Sequence, residues 1–508
     1  MSTELLTPHA LIQLHARDNV AVARVALDAN AAVALADGTT LTVRAAIAAG
    51  HKIALRPLAR GDVVLKYGQP IGTASTAIAG GEHVHVHNVE MGQVLQVQPV
   101  DTARESLATP TPAATFEGYL RADGRVGTRN YIGIVSSVNC SASVCKGIAR
   151  AFEDAGALPG VDGVVAITHG SGCGMSAGEG LALLRRTLRG YAGHPNFAAV
   201  LVVGLGCEVN QVGALLDGLP DGVRVRSLTI QQEGGTREAI ARGQALVREL
   251  AAEAGQARRS TVPVSHLVVG LQCGGSDGYS GISANPALGA AVDLLVRHGG
   301  TAILSETPEI YGAEHLLLAR SARPEVAEQL LARLRWWEAY AARNGAELNN
   351  NPSPGNKAGG ITTILEKSLG AVAKAGSSAL NEVVEYAGRV QGPGLVFMDT
   401  PGYDPVSATG QVAGGANLIC FTTGRGSTYG CKPTPSLKLA TNTPLFEKMP
   451  LDMDFNAGGI VDGTQTVAEA GEALFRLMLA TASGRQTLSE THGLGDNEFV
   501  PWQLGAVM

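Results

Sequence analysis

No stretch of about 18 consecutive apolar residues occurs in this sequence, so no segment reads as a membrane-spanning helix. An excess of basic charge is also missing. The 39 Lys and Arg face 45 Asp and Glu, a formal net charge of −6, which offers little counter-charge to a nucleic-acid backbone. The opening MSTELLTPHALIQLHARDN has no basic segment followed by an apolar one. The expectation is a soluble, cytoplasmic protein with neither a membrane nor a nucleic-acid partner. Cysteine is sparse, seven residues with no compact CxxC pair, which argues against a disulfide framework. In a reducing compartment such cysteines are thiols or metal ligands. No short repeat of the solenoid kind is present either.

Glycine is abundant instead: 65 of 508 residues, about twice the usual share. Many backbone positions must therefore turn with positive φ or lie close to a ligand. A chain of this length is expected to form about two to four domains. Residues 1–97 hold short β-type runs such as NVAVARVAL, KIALRPL and HVHVHNVE between Gly, Asp, Asn and Pro, and predict a small all-β module. Residues 98–116, which include the Thr/Pro/Ala-rich VDTARESLATPTPAAT, read as a linker. From residue 117 onward apolar strands alternate with amphipathic helices, the pattern of parallel α/β sheets.

The stretch LVVGLQCGGSDGYSGISANPALG, residues 267–289, runs from a buried strand into a helix. Asn285 is expected as its N-cap and Pro286 as its first residue. Leu288, Ala291, Val292 and Leu295 share one face, and Gly299 ends the helix. Strand-to-helix connections are where open α/β sheets bind ligands, and Ser276, Asp277, Tyr279, Ser283 and Asn285 concentrate polar groups there. Cys273 has counterparts in like positions, Cys173 in AITHGSGCGMS and Cys207 in LVVGLGCEVNQ. One such cysteine alone reads as a small core residue. Three in this context, near His169 and Glu208, suggest iron, or an iron–sulfur cluster with one open position. Cys140 and Cys145 are possible substitutes in that set. Cys420 reads as core, and Cys431 is unassigned.

Other motifs carry chemistry too. In GEHVHVHN, His83, His85 and His87 alternate, so on a strand all three face one side while Val84 and Val86 pack on the other. Such a row can bind a metal or move protons, or it can be a solvent-facing ladder. In NNNPSPGNKAGGITTILEKSLG, Pro and Gly fix a loop from which Asn356 and Lys357 project, suited to gripping a carboxylate or to acting as a base. In TTGRGSTYG, Arg425 can clamp a carboxylate while Thr428 and Tyr429 bond hydroxyls. SETPEIYGAEHLL offers Glu306, Glu309, Glu314 and His315. Of these Glu306 best reaches a metal, whereas Glu314 and His315 cap or decorate a helix.

Together GEHVHVHN, THGSGCG, GLGCEVNQ, CGGSDGYSGISANPALG, NPSPGNKAGG, EKSLG, KAGSS and TTGRGSTYG resemble the altronate and galactarate dehydratase family of sugar-acid dehydratases, over nearly the whole chain. The resemblance implies an N-terminal β-clip of the SAF type over 1–97 and a central α/β domain supporting dimerisation over 117–258. It also implies a Rossmann-like catalytic sheet over 259–508, and dependence on iron with manganese as a possible replacement. GEHVHVHN is similar to altronate dehydratases and FEGYLRADGRVGTRNYIGI to galactarate dehydratases. Altronate or a related aldonate is the preferred substrate and galactarate the alternative. A non-catalytic sugar-acid binding protein is the reading of another class.

The expected reaction removes the proton α to the carboxylate and expels the β-hydroxyl, which needs a base and an electrophile. Lys357, His169 or His85 is the expected base. Cys173, Cys207 and Cys273 are the expected metal ligands, with His83, His87 and Glu306 as secondary ones. Ser276, Asp277, Asn285, Asn356, Arg425, Thr428 and Tyr429 are expected to contact substrate. A mononuclear site built on Asp277, Glu306 and histidines is the rival arrangement.

Overall fold

The computed structural model describes residues 5–6, 10–92, 113–153 and 158–505. Most of the expected linker, residues 98–112, lies outside the described residues. Its last two positions already belong to the strand Thr115–Leu120, which pairs antiparallel with Ser260–Pro263.

The N-terminal module is all-β, as its short alternating runs dictate. Leu11–Ile12, Val20–Ala23, Lys52–Ala54 and His83–Val84 form a four-stranded antiparallel sheet. Val63–Lys66 and Gln69–Ala74 form a hairpin extended by Val89–Glu90. Leu27, Val33, Val43, Ile47 and Ile53 close its core.

The central region is a parallel sheet in the order Gly163–Ile167, Tyr131–Ser136, Phe197–Gly204, Val225–Thr229. Its two inner strands, Tyr131–Ser136 and Phe197–Gly204, are covered on both faces and read as almost continuous apolar runs, whereas the edge strand Val225–Thr229 exposes Arg226 and Ser227. Ile132 and Ile134 pack on helices Ala142–Ala149 and Thr236–Ala254, while Tyr131 and Val135 pack on helix Glu179–Ala192.

The C-terminal region is a seven-stranded parallel sheet. Its order is Leu380–Val384, Gly394–Met398, Thr301–Leu304, Val268–Cys273, Leu418–Thr423, Ser436–Ala440, Phe455–Asn456. The first strand in sequence, Val268–Cys273, is central, with later strands added on both sides. Loops leaving Val268–Cys273 and Leu418–Thr423 therefore flank the point where strand order reverses, the ligand crevice of open α/β sheets.

The helix after Cys273 spans Ala284–Arg297 with Ser283 as N-cap, and Asn285 lies inside its first turn rather than at the cap. There its side chain accepts from Thr422 Oγ1 at 2.6 Å and donates to the Gly370 carbonyl at 2.9 Å. Leu288, Ala291, Val292 and Leu295 are fully buried, and Gly299, with φ +83°, follows the end of the helix.

GEHVHVHN also differs from the expected strand. Only His83–Val84 is extended, because Asn88 turns the chain back: its Oδ1 accepts from His85 N at 2.9 Å and its Nδ2 donates to His83 O at 2.9 Å. Val84 is buried as expected, but Val86 is 47% exposed and packs on nothing.

Candidate functional site

The N-terminal module seats on the carboxyl edge of the C-terminal sheet. The Gly50 carbonyl enters so closely that a β-carbon at Gly278 would stand 2.0 Å from it and one at Gly360 2.4 Å. Tyr279 fixes the contact from the other side, its hydroxyl donating to the Ala23 and Arg24 carbonyls at 3.0 Å each.

At the centre of this seam is Glu366, in the first turn of helix Ile364–Val372 and capped by Thr363. Its carboxylate receives Lys52 Nζ at 2.8 Å and Lys66 Nζ at 2.9 Å, together with Thr362 N and Oγ1. Burial opposes ionisation of Glu366, but the two ammonium groups overcome it and hold the carboxyl well below the usual range. Burial pushes Lys52 down to about 8, while the same carboxylate holds Lys66 above its ordinary value against burial. Two buried cations against one anion leave a surplus of positive charge. That surplus suits an anionic ligand.

Beside Lys52 stands a group of imidazoles. His51 Nδ1 lies 3.0 Å from His83 Nε2, and His51 Nε2 lies 3.2 Å from the Ala358 carbonyl. A carbonyl can only accept, so His51 carries its proton on Nε2 and turns its Nδ1 lone pair toward His83. Nitrogens of His51, His83 and His85 all lie within 4.8 Å of one another, and His85 Nδ1 is buried with no hydrogen-bond partner. Burial first, and then neighbouring positive groups, push His83 down to about 4 and His85 down to about 3. All three are therefore neutral near pH 7, the form that ligates a metal. The His87 ring is 5.4 Å from that of His83, at the margin of the group.

Ala358 ends the short helix Pro354–Ala358, which Ser353 and Asn356 close with a reciprocal capping box. Asn356 is thereby spent on structure, and its Nδ2 also donates to the Ser276 carbonyl at 2.9 Å. The Lys357 side chain, half-buried, enters no hydrogen bond or ion pair among the described residues. It sits one residue from the carbonyl that orients His51.

A second cluster lies under the crevice. Cys273, the last residue of its strand, receives Lys374 Nζ at 2.9 Å and lies 3.5 Å from Glu309 Oε2. Glu309 pairs with Lys367 at 2.8 Å, and Lys374 is 3.8 Å from Glu306. Cys273, Glu306 and Glu309 group within 4.8 Å, and Glu306, at φ +70°, keeps both carboxyl oxygens buried without a hydrogen bond. Burial and then Glu309 hold Glu306 well above the usual carboxylate range. Burial likewise pushes the Cys273 thiol up to about 12. Two ammonium groups already stand where a cation would, so this set is poorly suited to a metal.

The expected convergence of Cys173, Cys207 and Cys273 is not what the structure shows. Cys273 is buried in the C-terminal sheet, whereas Cys173 and Cys207 are exposed on loops of the central one. Sequence position relative to a strand end does not reveal that the strands belong to two sheets. His169 is buried in the central region with both nitrogens engaged, by the Ser136 carbonyl and by Ser171 N, and burial pushes it down to about 4. It is a structural histidine, not a base.

Asp277 is fully enclosed, accepting from Tyr279 N, Ser280, Thr441 and Asn442. Tyr429 is buried with its ring stacked 4.8 Å from Phe421, so it is core rather than a substrate contact. Ser276 is buried beside the capping box, while Arg425 and Thr428 are exposed. Arg425 overlies the glycine loop, its Cβ 3.3 Å from where a Gly275 side chain would begin. Glu314 is the N-cap residue of helix His315–Leu318, as expected of the pair.

His51, Lys52, Lys66, Lys367 and Lys374 were not singled out in the sequence. His51, Lys52 and Lys66 stand outside every motif quoted for its chemistry, Lys367 and Lys374 fall in EKSLG and KAGSS without having been given a role there, and only long-range contact gives each its part. A cavity of about 890 Å³ lies elsewhere, lined by Arg125, Arg189, Val268, Thr301 and Asn417 at the amino ends of strands, and contains none of the expected site residues.

Residues 9–92 match the altronate/galactarate dehydratase SAF domain. Residues 118–255 match the D-galactarate dehydratase/altronate hydrolase second domain, and residues 264–507 the D-galactarate/altronate dehydratase C-terminal domain. The chain is 38% identical to altronate dehydratase of Escherichia coli (strain K12), over 94% of this chain and 96% of that protein. It is 35% identical to altronate dehydratase of Bacillus subtilis (strain 168), over 94% and 95%. It is also 38% identical to the L-threo-forming galactarate dehydratase of Escherichia coli (strain K12), over 96% of each. With all three regions matched in order and nearly the full length of these relatives covered, the chain belongs to the altronate/galactarate dehydratase family of hydro-lyases.

Proposed function

We propose that this protein dehydrates altronate to a 2-keto-3-deoxy sugar acid at the seam between its N-terminal module and its C-terminal sheet. The carrying observation is the group of neutral imidazoles, His51, His83 and His85, set between a surplus of buried ammonium charge and the Lys357 loop. Two relatives named as altronate dehydratases support altronate over galactarate.

A divalent ion, iron or manganese, fits the imidazoles: three lone-pair donors lie close together, and one buried nitrogen lacks any partner. When bound there, such an ion supplies Lewis acidity toward the carboxylate and the departing hydroxyl. The protein's own groups do the rest. Arg425 and the Lys52–Lys66 charge hold the sugar-acid carboxylate. Lys357, on a short helix fixed by the Ser353–Asn356 capping box, takes the α-proton. The proton taken by Lys357 passes to the departing β-hydroxyl, which leaves as water, and the resulting enol rearranges to the keto acid. We assign the enzyme to the cytoplasm as a homodimer, joined through the central region as the family resemblance implies. Among the described residues no helix is long and apolar enough to cross a membrane.

The test is a panel of aldonates and aldarates assayed for 2-keto-3-deoxy product, with and without ferrous or manganous ion. Product from altronate in preference to galactarate is expected. Calorimetric binding of altronate without product would replace the enzyme by a binding protein.

A further inference from the structure

We propose that the cavity of about 890 Å³ at the amino ends of the strands is a second ligand site, built for a small organic phosphate monoester. It is separate from the histidine seam and does not rest on the altronate reading.

The sequence prepares one wall. Ala182, Arg185, Arg186, Arg189 and Gly190 recur every three or four residues along helix Glu179–Ala192, so they share a face, and all five line the cavity. The small members of that face let the central and C-terminal regions close on each other: a β-carbon at Gly190 would collide with the Ala413 carbonyl. The opposite wall belongs to the C-terminal region, through residues 387–393 and 413–417. Arg186 spans the gap, donating to the Tyr386 carbonyl at 3.1 Å and pairing with Glu385 at 3.0 Å.

Charge sets this cavity apart. With Arg125 and Arg389, five arginines line it, and no Asp or Glu among the described residues does. Arg125 is answered by Asp123 and Arg186 by Glu385. Arg185 and Arg189 are held by neutral acceptors, Asn210 Oδ1 and the Ala214 and Leu215 carbonyls, which fix the guanidinium groups without cancelling their charge. Arg389, exposed at the rim, forms no ion pair among the described residues and lies in the field of Asp123, which Arg125 already engages. Three cations are left over, in a chain of net charge −6.

A carboxylate offers one charge and two acceptor oxygens. A phosphate monoester offers close to two charges and three acceptor oxygens, the better match to three guanidinium groups. Val126, Val268, Val390, Pro195 and Pro220 give the organic part an apolar wall, and the volume lies within the range of about 300–1,000 Å³ usual for small-molecule sites. Val268 and Thr301 begin here the strands that end at the crevice. At about 3.3 Å per residue, the ligand stands roughly 15–20 Å from that crevice. Touching both regions, it stabilises their junction by mass action.

The full-length holoenzyme is titrated by calorimetry with ribose 5-phosphate, AMP, inorganic phosphate and succinate. At least one of the two esters should bind saturably, one per chain, at least about tenfold tighter than inorganic phosphate or succinate, and should raise the unfolding temperature. Arg389→Ala removes a charged donor from the rim and should weaken the ester about tenfold. A β-carbon at Gly392, which lines the cavity, meets nothing within 4 Å, so Gly392→Phe fills the space without a backbone clash and should abolish binding. Both variants should keep the circular dichroism of the wild type, and Lys66→Met, at the seam, should bind the ester as the wild type does. Absence of saturable binding by either ester would overturn the proposal. So would inorganic phosphate binding as tightly, which would mean an adventitious ion only, or succinate binding as tightly, which would mean a carboxylate site. Unchanged ester affinity in Arg389→Ala or in folded Gly392→Phe, or its loss in Lys66→Met, would overturn it as well. Because the readout is binding, it stands whether or not altronate is turned over.

Discussion

Lys52 and Glu366, 314 residues apart in sequence, meet at 2.8 Å in a contact from which solvent is almost wholly excluded. Removing one partner of such a pair strands the other charge, at a cost of about 3–5 kcal/mol. Glu366→Gln strands both Lys52 and Lys66. The expected result is a lower unfolding temperature and protease cleavage between the N-terminal module and the remainder. Lys66→Met, which restores a one-to-one pair, should leave stability near wild type while raising KM for the acidic substrate. Equal KM for wild type and Lys66→Met would remove the role given to the surplus charge.

His51→Ala and His85→Ala should each abolish bound divalent metal at the seam and lower kcat/KM beyond the roughly 10–100-fold typical of outer partners of a metal site. His87→Ala, at the margin of the group, should fall within that range or below it. Metal content measured alongside kinetics distinguishes loss of a ligand from loss of the fold.

Asp404 gives a pH signature. Burial, and then the Glu309 charge, raise its carboxyl from 3.8 to about 6. Between these values the unfolded chain has released the proton and the folded one still holds it, so stability falls as pH rises through that window. The shift corresponds to about 3 kcal/mol. Denaturation across pH 4 to 7 should show this decline in the wild type and its absence in Asp404→Asn.

Asn285 and Tyr429 test structure against chemistry. Asn285→Ala removes the Thr422 hydroxyl's 2.6 Å acceptor and the amide donor to the Gly370 carbonyl, and should cost about 1–3 kcal/mol of stability without changing KM in the folded fraction. Tyr429→Phe keeps the stack on Phe421 and should keep turnover. A raised KM in either variant would return that residue to the substrate site.

Much of the molecule was legible because it depends on local pattern. Continuous apolar runs bounded by glycine foretold strands covered on both faces, and the 3.6-residue spacing of Leu288, Ala291, Val292 and Leu295 foretold the buried face of their helix. The clustering of the GEHVHVHN imidazoles was legible too, though by a different route. The expected strand stops at Val84, and it is the Asn88 turn that gathers the rings.

Misreadings arose where burial decides chemistry. Asn285, Asp277 and Tyr429 are polar and lie in motif loops, yet the fold consumes their polar atoms or encloses their rings. Composition along the chain cannot say which donors remain over once the backbone has been satisfied.

The amino-acid order by itself determined the β module, the parallel α/β regions, the family, and the crevice-lining loops, because periodicity, turns and motif strings are properties of neighbours along the chain. Tertiary structure alone decided that Glu366 answers two lysines from the first module, that His51 completes the imidazole group, and that Cys273 belongs apart from Cys173 and Cys207. Those relationships join residues hundreds of positions apart. Desolvation, which sets their charges, exists only after the domains have closed over them.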